Sequence, residues 1–327
     1  MSDNNAFIYL IVFLLTFVAT VFVGRLIIPF LKRCAEQPIY EDGPSWHMSK
    51  TGTPTMGGLS FLIAVTFVLF LCSLYEYLSD NTENAVSIII ASIYALLNAA
   101  VGIVDDITKL RHKKNAGLTP RAKLILQFIL SALFLTARKL LLGDSTVLKL
   151  ASYDIDFGIF YYFISLIILV GITNCANLTD GIDGLASSVA FAIGIAVFYS
   201  SYARVENASF IAISLVGASV GFLVFNIHPA KIFMGDTGSL FLGALIVSMA
   251  FELKNPISAI AYGGVYVIEG ISVILQVIVY KATKKRLFKM APVHHHLERC
   301  GWDENKICLL AIILTFIFSI PAILVLL

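Results

Sequence analysis

The chain alternates long apolar runs with short polar segments along its whole length. Each run has about 20 residues, the length that a helix needs to cross a ~30 Å hydrocarbon core. The pattern therefore predicts an all-α, polytopic membrane protein that forms one domain over residues 1–327. The ten predicted spans are 6–30, 56–78, 86–104, 122–143, 158–176, 185–202, 207–225, 237–252, 257–280 and 306–327.

Two segments depart from this helical pattern. Residues 147–157, between spans 4 and 5, alternate in a way that predicts a short β-hairpin on the outer side of the membrane. The apolar pattern from Pro256 to Phe288 is longer than a bilayer requires, and it contains Gly263, Gly264 and Gly270. We expect the helix in this segment to tilt or break.

Composition supports a membrane protein and excludes several other classes. Hydrophobic residues make up 58% of the chain and charged residues only 13%, whereas soluble domains have ~25% charged residues. The formal net charge of +2 is too small to indicate nucleic acid as a partner. The five cysteines are scattered without paired spacing, so they predict neither a disulfide framework nor a zinc site.

Basic residues are distributed unequally between the two sides of the predicted membrane. The loops after odd-numbered spans carry 15 lysines and arginines, whereas the opposite side carries 5. Because basic loops tend to stay in the cytoplasm, the loops 105–121 and 281–305 should be cytoplasmic. Both termini should then face outward.

Five carboxylates occur in short, glycine-rich segments at the inward ends of predicted spans. A single acid at such a position is explained by a solvated helix end, but five on one face repel one another unless a cation compensates. Oxygen ligands favour Mg²⁺ or Mn²⁺ over zinc. Together with Asn174 and Asn177, these acids predict a polar pocket at the membrane face; they are Asp105, Asp106, Asp180, Asp183 and Asp236.

Two further features each have two interpretations. The triple histidine His294–His296 lies near several lysines, so it is explained equally well by a basic interfacial patch or by hydrogen bonds to a phosphate or sugar. The absence of H-E-x-x-H argues against a zinc hydrolase. A lysine at position 50 either contacts a phosphate group or is simply one of the basic residues that are enriched on the inner side of a membrane protein.

Four motifs, DDITK, NLTDGIDGLA, FMGDTGS and PVHHHLE, follow one another along nearly the whole chain. In this respect the chain resembles the polyprenyl-phosphate N-acetylhexosamine-1-phosphate transferase superfamily. TPTMGG together with the contiguous PVHHHLE resembles its bacterial branch that transfers phospho-N-acetylmuramoyl-pentapeptide. The resemblance implies a Mg²⁺-dependent enzyme of the bacterial plasma membrane, with an active site that faces the cytoplasm.

The reaction that this resemblance implies joins a lipid to a nucleotide sugar. Undecaprenyl phosphate attacks UDP-N-acetylmuramoyl-pentapeptide, which gives UMP and the first lipid intermediate of peptidoglycan synthesis. Direct attack and a covalent aspartyl intermediate are both open. Direct attack is favoured because a phosphate monoester is mostly dianionic at neutral pH. The resemblance also implies a homodimer, although no interface motif argues for one.

The resemblance assigns roles to individual residues. Asp236 is expected to be the principal Mg²⁺ ligand, and Asp105 to act on the lipid phosphate and contribute to the metal site. Asp106 and His294 are expected to be the other catalytic groups, and Phe233 to stack on uracil. The expected substrate contacts are Lys50, Lys109, Lys123, Asn174, Asn177, Asp180, Asp183, Asn226, Phe233, Gln276, His295 and His296.

Two other functions remain open at this point. One is the sister branch of the superfamily, which transfers N-acetylglucosamine-1-phosphate and shares the acidic motifs. The other is a secondary transporter of an anionic metabolite, which should hold its ionisable residues near the bilayer midplane between inverted repeats. Glu269 is the main acid that the prediction places inside a span, and no repeat is apparent.

The unequal distribution of basic residues makes the topology testable. In a cysteine-free background, a single cysteine at position 113 should be protected from a membrane-impermeant thiol reagent in intact cells, because its loop faces the cytoplasm. A cysteine in the segment 144–157 should be labelled, because that segment faces outward. Strong labelling at position 113 would overturn the orientation.

Overall fold

The structure is a computed structural model that describes residues 3–35, 50, 52–112, 117–150, 153–202 and 205–326. Within these residues, ten long helices occupy the ten predicted spans. The centre of the predicted hairpin, residues 151–152, lies outside the described residues. The long helices are α1 (Asp3–Cys34), α2 (Leu59–Leu78), α3 (Thr82–His112), α4 (Pro120–Leu142), α5 (Ile159–Thr179), α6 (Leu185–Ser201), α7 (Glu206–Asn226), α8 (Gly235–Glu252), α10 (Gly264–Thr283) and α12 (Glu304–Leu326).

The helical membrane architecture is confirmed. Eight of the long helices have the length and apolar composition needed to cross a bilayer. The other two are α6, which is shorter, and α8, which carries an acid in its first turn and another at its last residue. The count of ten spans and the outward position of both termini stay predictions.

Both predicted departures from regular helices are present. The apolar segment after Pro256 breaks at Gly263, which separates the short α9 (Ser258–Tyr262) from α10. The hairpin consists of the antiparallel strands β1 (Val147–Leu150) and β2 (Tyr153–Asp156). It marks one end of the bundle, which we call the hairpin end. A second short helix, α11 (Val293–Glu298), contains the three histidines near the opposite end.

Helix α8 forms the centre of the bundle. Every side chain from Thr237 to Glu252 is buried, which fits a helix that is apolar on all sides. It packs most extensively against α3 and α5, and it also contacts α7. The outer helices expose large apolar side chains such as Phe22 and Phe30 on α1, as expected where lipid replaces water.

A buried ionic network joins four helices at the hairpin end. The Arg138 guanidinium on α4 donates to Glu252 Oε1 on α8 at 2.6 Å and to Asp144 Oδ2 at 2.6 Å. Ser87 on α3 and Asn207 on α7 donate to the second oxygen of Glu252. Since the buried charges of Arg138 and Glu252 are paired and hydrogen-bonded, their burial is tolerated. The network fixes α3, α4, α7 and α8 relative to one another.

The opposite end of α8 depends on a carboxylate from α3. Asp106 accepts hydrogen bonds from the backbone N–H groups of Asp236 at 3.1 Å and Thr237 at 2.9 Å, and from Thr237 Oγ1 at 2.7 Å. These N–H groups lie in the first turn of α8 and have no partner within the helix. A negative charge there also interacts favourably with the helix dipole. Asp106 therefore caps α8 from a neighbouring helix.

The loop between α1 and α2, which we call the first loop, docks against the start of α8 through Gly57 and Gly58. Gly57 N and Gly58 N donate to the carbonyl oxygens of Phe233 and Met234 at 2.8 and 2.9 Å. A Cβ atom on Gly58 would overlap the Cα atom of Gly238, so the two segments touch through their backbones. TPTMGG and FMGDTGS are thus parts of one packed unit. We call the end of the bundle that holds this unit the motif end.

The capping role of Asp106 predicts a stability effect. Asp106→Ala should lower the free energy of unfolding by about 1–3 kcal/mol, because buried N–H groups at the start of α8 lose their acceptor. Asp106→Asn should lower the free energy of unfolding less, since its amide oxygen can still accept a hydrogen bond from these N–H groups. Thermal unfolding in detergent measures both changes. The exposed acid Glu83 provides the control, Glu83→Ala, and equal midpoints for Asp106→Ala and the unaltered protein would contradict the role.

Candidate active site

Three carboxylates from two helices meet at the motif end of the bundle. Asp105 and Asp106 lie on α3, and Asp236 lies in the first turn of α8. One oxygen from each of the three lies within 4.8 Å of the others. Asp105 and Asp106 are buried, and Asp236 is partly buried. We call these three residues the acidic cluster.

Two lysines balance the charge of the acidic cluster. Lys109 Nζ lies 2.6 Å from Asp105 Oδ2 and 3.1 Å from Asp236 Oδ2, so it bridges the two helices. Lys123 Nζ on α4 lies 2.6 Å from the same oxygen of Asp236. In a partly buried site, such close opposite charges are needed to keep neighbouring carboxylates ionised. Both lysines were predicted from the sequence as phosphate partners, and here they contact the predicted metal ligand.

Polar side chains from α5 extend this arrangement. Asn177 donates to Asp236 Oδ1 at 3.1 Å and to Ser239 Oγ at 2.7 Å, and its own oxygen accepts from Lys123 at 3.2 Å. Asn174 lies one turn earlier and donates to Gln127 Oε1 at 2.6 Å. Asn177 therefore touches the acidic cluster directly, whereas Asn174 connects α5 to α4.

The residues of the acidic cluster suit a divalent cation such as Mg²⁺. All three groups offer oxygen, the ligand that Mg²⁺ prefers, and their spacing allows a single ion to contact more than one of them. Lys109 contacts both Asp236 and Asp105, and Lys123 also contacts Asp236. These long side chains can move aside for an ion. Asp106 is the least available of the three, because its oxygens already cap α8.

Asp180, in the loop between α5 and α6, lies close enough to the acidic cluster for its charge to affect the Asp180 carboxyl group. Burial and the nearby carboxylates of Asp236 and Asp106 raise the pKa of Asp180 well above its usual range, against the effect of a hydrogen bond from Gly235 N–H. Either a bound cation or a proton relieves this repulsion. The glycine-rich TDGIDG turn therefore contributes a carboxylate that is sensitive to the charge of the site.

A second charged group lies around Asp183. Lys50 Nζ contacts Asp183 Oδ1 at 2.7 Å and Glu304 Oε1 at 2.8 Å. His228 Nδ1 lies 2.9 Å from Asp183 Oδ2 and 3.3 Å from Glu304 Oε1. The backbone N–H of Ala230 also donates to Asp183. Lys50 thus joins the first loop to TDGIDG and to the start of α12.

The three consecutive histidines face three different environments. His294 is fully buried, and its Nδ1 lies 3.2 Å from Glu269 Oε2 on α10. His295 Nδ1 lies 2.6 Å from Glu298 Oε2 in the same short helix. His296 Nδ1 accepts from the backbone N–H of Lys289 at 3.1 Å. Only His294 is directed toward TDGIDG, where its Nε2 closely approaches Gly181.

Three other predicted residues hold the backbone around the site. Asn226 accepts from Gly184 N–H at 3.1 Å and donates to the Ile232 carbonyl at 2.9 Å. Phe233 pairs with the first loop through its backbone, and its side chain is half-buried. Gln276 accepts from the backbone N–H groups of Leu287 and Phe288, so its amide ties the loop before α11 to α10. The substrate roles of these three residues stay predictions.

Sequence reasoning missed three residues that complete the site. Glu304 and His228 form part of the charged group around Asp183, and Thr237 binds Asp106. Glu304 is the first residue of α12 and follows the loop that carries the three histidines, which we call the histidine loop. Its position at the inward end of a predicted span could have marked it as a candidate site residue. His228 and Thr237 are isolated polar residues, for which the sequence pattern offers no comparable signal.

Comparisons with known proteins agree with this geometry. A model of glycosyl transferase family 4 matches residues 86–254, which contain all five aspartates of the predicted site. A phospho-N-acetylmuramoyl-pentapeptide-transferase from Halalkalibacterium halodurans is 41% identical over 307 residues, 92% of each chain. Proteins of the same name from a Geobacillus species and Caldicellulosiruptor bescii are 43% and 38% identical and cover 90% and 94% of each chain. The chain belongs to glycosyl transferase family 4 and, within it, to the phospho-N-acetylmuramoyl-pentapeptide-transferases.

Proposed function

We propose that the chain transfers phospho-N-acetylmuramoyl-pentapeptide from UDP-N-acetylmuramoyl-pentapeptide to undecaprenyl phosphate and releases UMP. The observation that carries this proposal is the acidic cluster with its two lysines at one end of a membrane-embedded bundle. A nucleotide sugar arrives from water and a lipid phosphate from the bilayer, so their reaction needs a polar site at that boundary. Relatives about 40% identical over nearly the whole chain carry the corresponding name.

The site is proposed to face the cytoplasm of a bacterial plasma membrane. The five aspartates, Lys50 and the histidine loop gather at the end of the bundle that bears most of the basic loops. Basic loops remain preferentially cytoplasmic. UDP-linked sugars then reach the site directly from the compartment in which nucleotides are held.

The lysines are proposed to hold the phosphates. Phosphoryl transfer requires mainly positioning and neutralisation of charge on phosphate oxygens. Lys109 and Lys123 each point a donor-rich ammonium group at the position where α3, α4 and α8 meet. When a diphosphate enters, these groups can exchange a carboxylate oxygen for a phosphate oxygen with little movement. Asn177 can orient the same phosphate through its amide group.

Asp236 and Asp105 are proposed to hold Mg²⁺. When bound, the ion supplies a Lewis acid that draws charge from the phosphate oxygens. The carboxylates of Asp236 and Asp105 belong to different helices, so holding the ion also keeps α3 and α8 in register. Asp106 supports this arrangement because it fixes the first turn of α8, which carries Asp236.

We favour direct attack by the lipid phosphate over a covalent aspartyl intermediate. A phosphate monoester with a second pKa near ~6 is mostly dianionic at neutral pH, so it needs little help from a general base. Asp105 is paired with Lys109 at 2.6 Å and accepts from Leu118 N–H at 2.8 Å. These contacts reduce the nucleophilicity of its oxygens and suit a group that positions the lipid phosphate through Lys109. The homodimer implied by the family resemblance stays a prediction.

Substrate preference tests the proposed function. With undecaprenyl phosphate and Mg²⁺, the purified protein should release UMP from UDP-N-acetylmuramoyl-pentapeptide and hardly any from UDP-N-acetylglucosamine. The reason is that contacts to the remote lactyl-peptide help to orient the reacting phosphorus. Coupled detection of UMP measures both rates. Equal or reversed preference would assign the protein to the sister branch, and no lipid-dependent UMP release from either substrate would favour a transporter.

The proposed metal site predicts the effect of removing one charge. Asp236→Asn should lower kcat by roughly 10³-fold or more, because the variant keeps the shape of the side chain but loses the charge opposite Mg²⁺. UMP release at several Mg²⁺ concentrations measures the loss, and thermal unfolding checks that the variant is folded. Asp154→Asn, on the exposed hairpin, is the matched control. Substantial activity of Asp236→Asn at ordinary Mg²⁺, or activity without a divalent ion, would contradict the assignment.

A further inference from the structure

Glu269 is a buried acid for which the proposed reaction gives no role. It lies on α10, about one and a half turns after the helix begins, and is only 5% exposed. It is not part of the acidic cluster or of the charged group around Asp183. A carboxylate in such surroundings is costly unless specific partners compensate it. Its partners therefore indicate what it does.

The described contacts of the Glu269 carboxylate all lead to His294. Its Oε1 and Oε2 lie 3.2 and 3.3 Å from the backbone nitrogen of His294 and accept from that N–H. Oε2 also lies 3.2 Å from Nδ1 of the same residue. One carboxylate thus contacts both the backbone and the ring of a single histidine. The backbone hydrogen bonds fix the position of His294, and the carboxylate lies beside its ring.

The other ring nitrogen of His294 is directed away from α10. A Cβ atom built on Gly181 would overlap His294 Nε2, so the imidazole edge rests against the TDGIDG turn at a position that only glycine allows. Nε2 is fully buried, and neither it nor Nδ1 has a hydrogen-bond partner among the described residues. A buried polar nitrogen without a partner is rare, and it points to a ligand or water that completes the site.

The neighbouring histidines differ in this respect. His295 is paired with Glu298 inside α11, and His296 accepts from the Lys289 backbone and stacks edge-on with Phe288. Both are occupied within their own loop. Of the three, His294 is the fully buried one, and its Nε2 lies against the TDGIDG turn.

We propose that Glu269 is a positioning residue that holds His294 for catalysis. The Glu269 carboxylate lies close enough to accept from Nδ1–H after a small rotation of the ring, and its charge stabilises an imidazole that also carries a proton on Nε2, the nitrogen that faces the TDGIDG turn. Nε2–H then donates to an oxygen of the nucleotide-sugar diphosphate beside Asp180. This inference rests on the proposed function, because it assigns Glu269 a part in the same reaction through His294.

Glu269→Gln separates this role from simple helix capping. The substitution keeps the shape of the side chain, and the new amide oxygen can still accept from the His294 backbone. The new amide group, however, carries no charge, so it no longer stabilises an imidazole that is protonated on both ring nitrogens. We expect kcat to fall about tenfold or more and KM for the nucleotide sugar to change less than about threefold. The thermal midpoint should stay close to that of the unaltered protein.

A double-mutant cycle with His294→Ala tests whether the effect passes through the histidine. His294→Ala should lower kcat by roughly 10²-fold. If Glu269 acts through His294, adding Glu269→Gln to that variant should cause no further loss, within about twofold. His294→Gln provides a second background if the alanine variant does not fold. Glu76→Gln, which removes another buried carboxylate from the hairpin end, is the matched control and should keep its rate.

The outcomes distinguish this proposal from the proposed function. If the unaltered protein releases UMP and Glu269→Gln keeps kcat within about twofold, Glu269 has no positioning role. If the losses from Glu269→Gln and His294→Ala multiply, Glu269 acts on something other than His294, and the proposal is equally wrong. Failure of the unaltered protein to release UMP from any nucleotide sugar would instead overturn the proposed function.

Discussion

The balance between three carboxylates and two lysines at the motif end is the interaction on which the rest of the structure depends. Asp105, Asp106 and Asp236 lie close together in a partly buried position, where their mutual repulsion is strong. Lys109 bridges α3 and α8, and Lys123 brings α4 to the same point. Charge compensation thus determines which helices must meet there. Helix α8 packs most extensively against α3, the helix that supplies two of the three carboxylates.

Much of this arrangement could be predicted from the sequence because it depends on strong, local signals. Apolar runs located the ten long helices, and an excess of glycine located the break at Gly263. The five aspartates were recognisable because acids at span ends in glycine-rich motifs are unusual. Their meeting at one end of the bundle required only that consecutive spans alternate direction.

The individual partners could not be predicted, because they depend on pairs far apart in the sequence. Nothing near Asp106 indicates that it caps a helix that begins 129 residues later, at Gly235. Lys50 was ambiguous until its contacts with Asp183 and Glu304 were seen. The bonds from the Gln276 amide to the backbone of the loop before α11 gave no signal in the sequence. Polar side chains in a membrane bundle have few possible partners, but only the packing decides which they take.

Helices α3 and α8 are fastened to each other at both ends. Asp106 holds the start of α8 at the motif end, and Ser87 binds Glu252 at the hairpin end. A pair joined in this way resists sliding, so the distance between its two ends is nearly constant. Membranes differ in thickness, and a protein accommodates hydrophobic mismatch by tilting helices or deforming the lipid around it. Here that adjustment falls to outer helices such as α1, while the carboxylates keep their depth relative to the lipid headgroups.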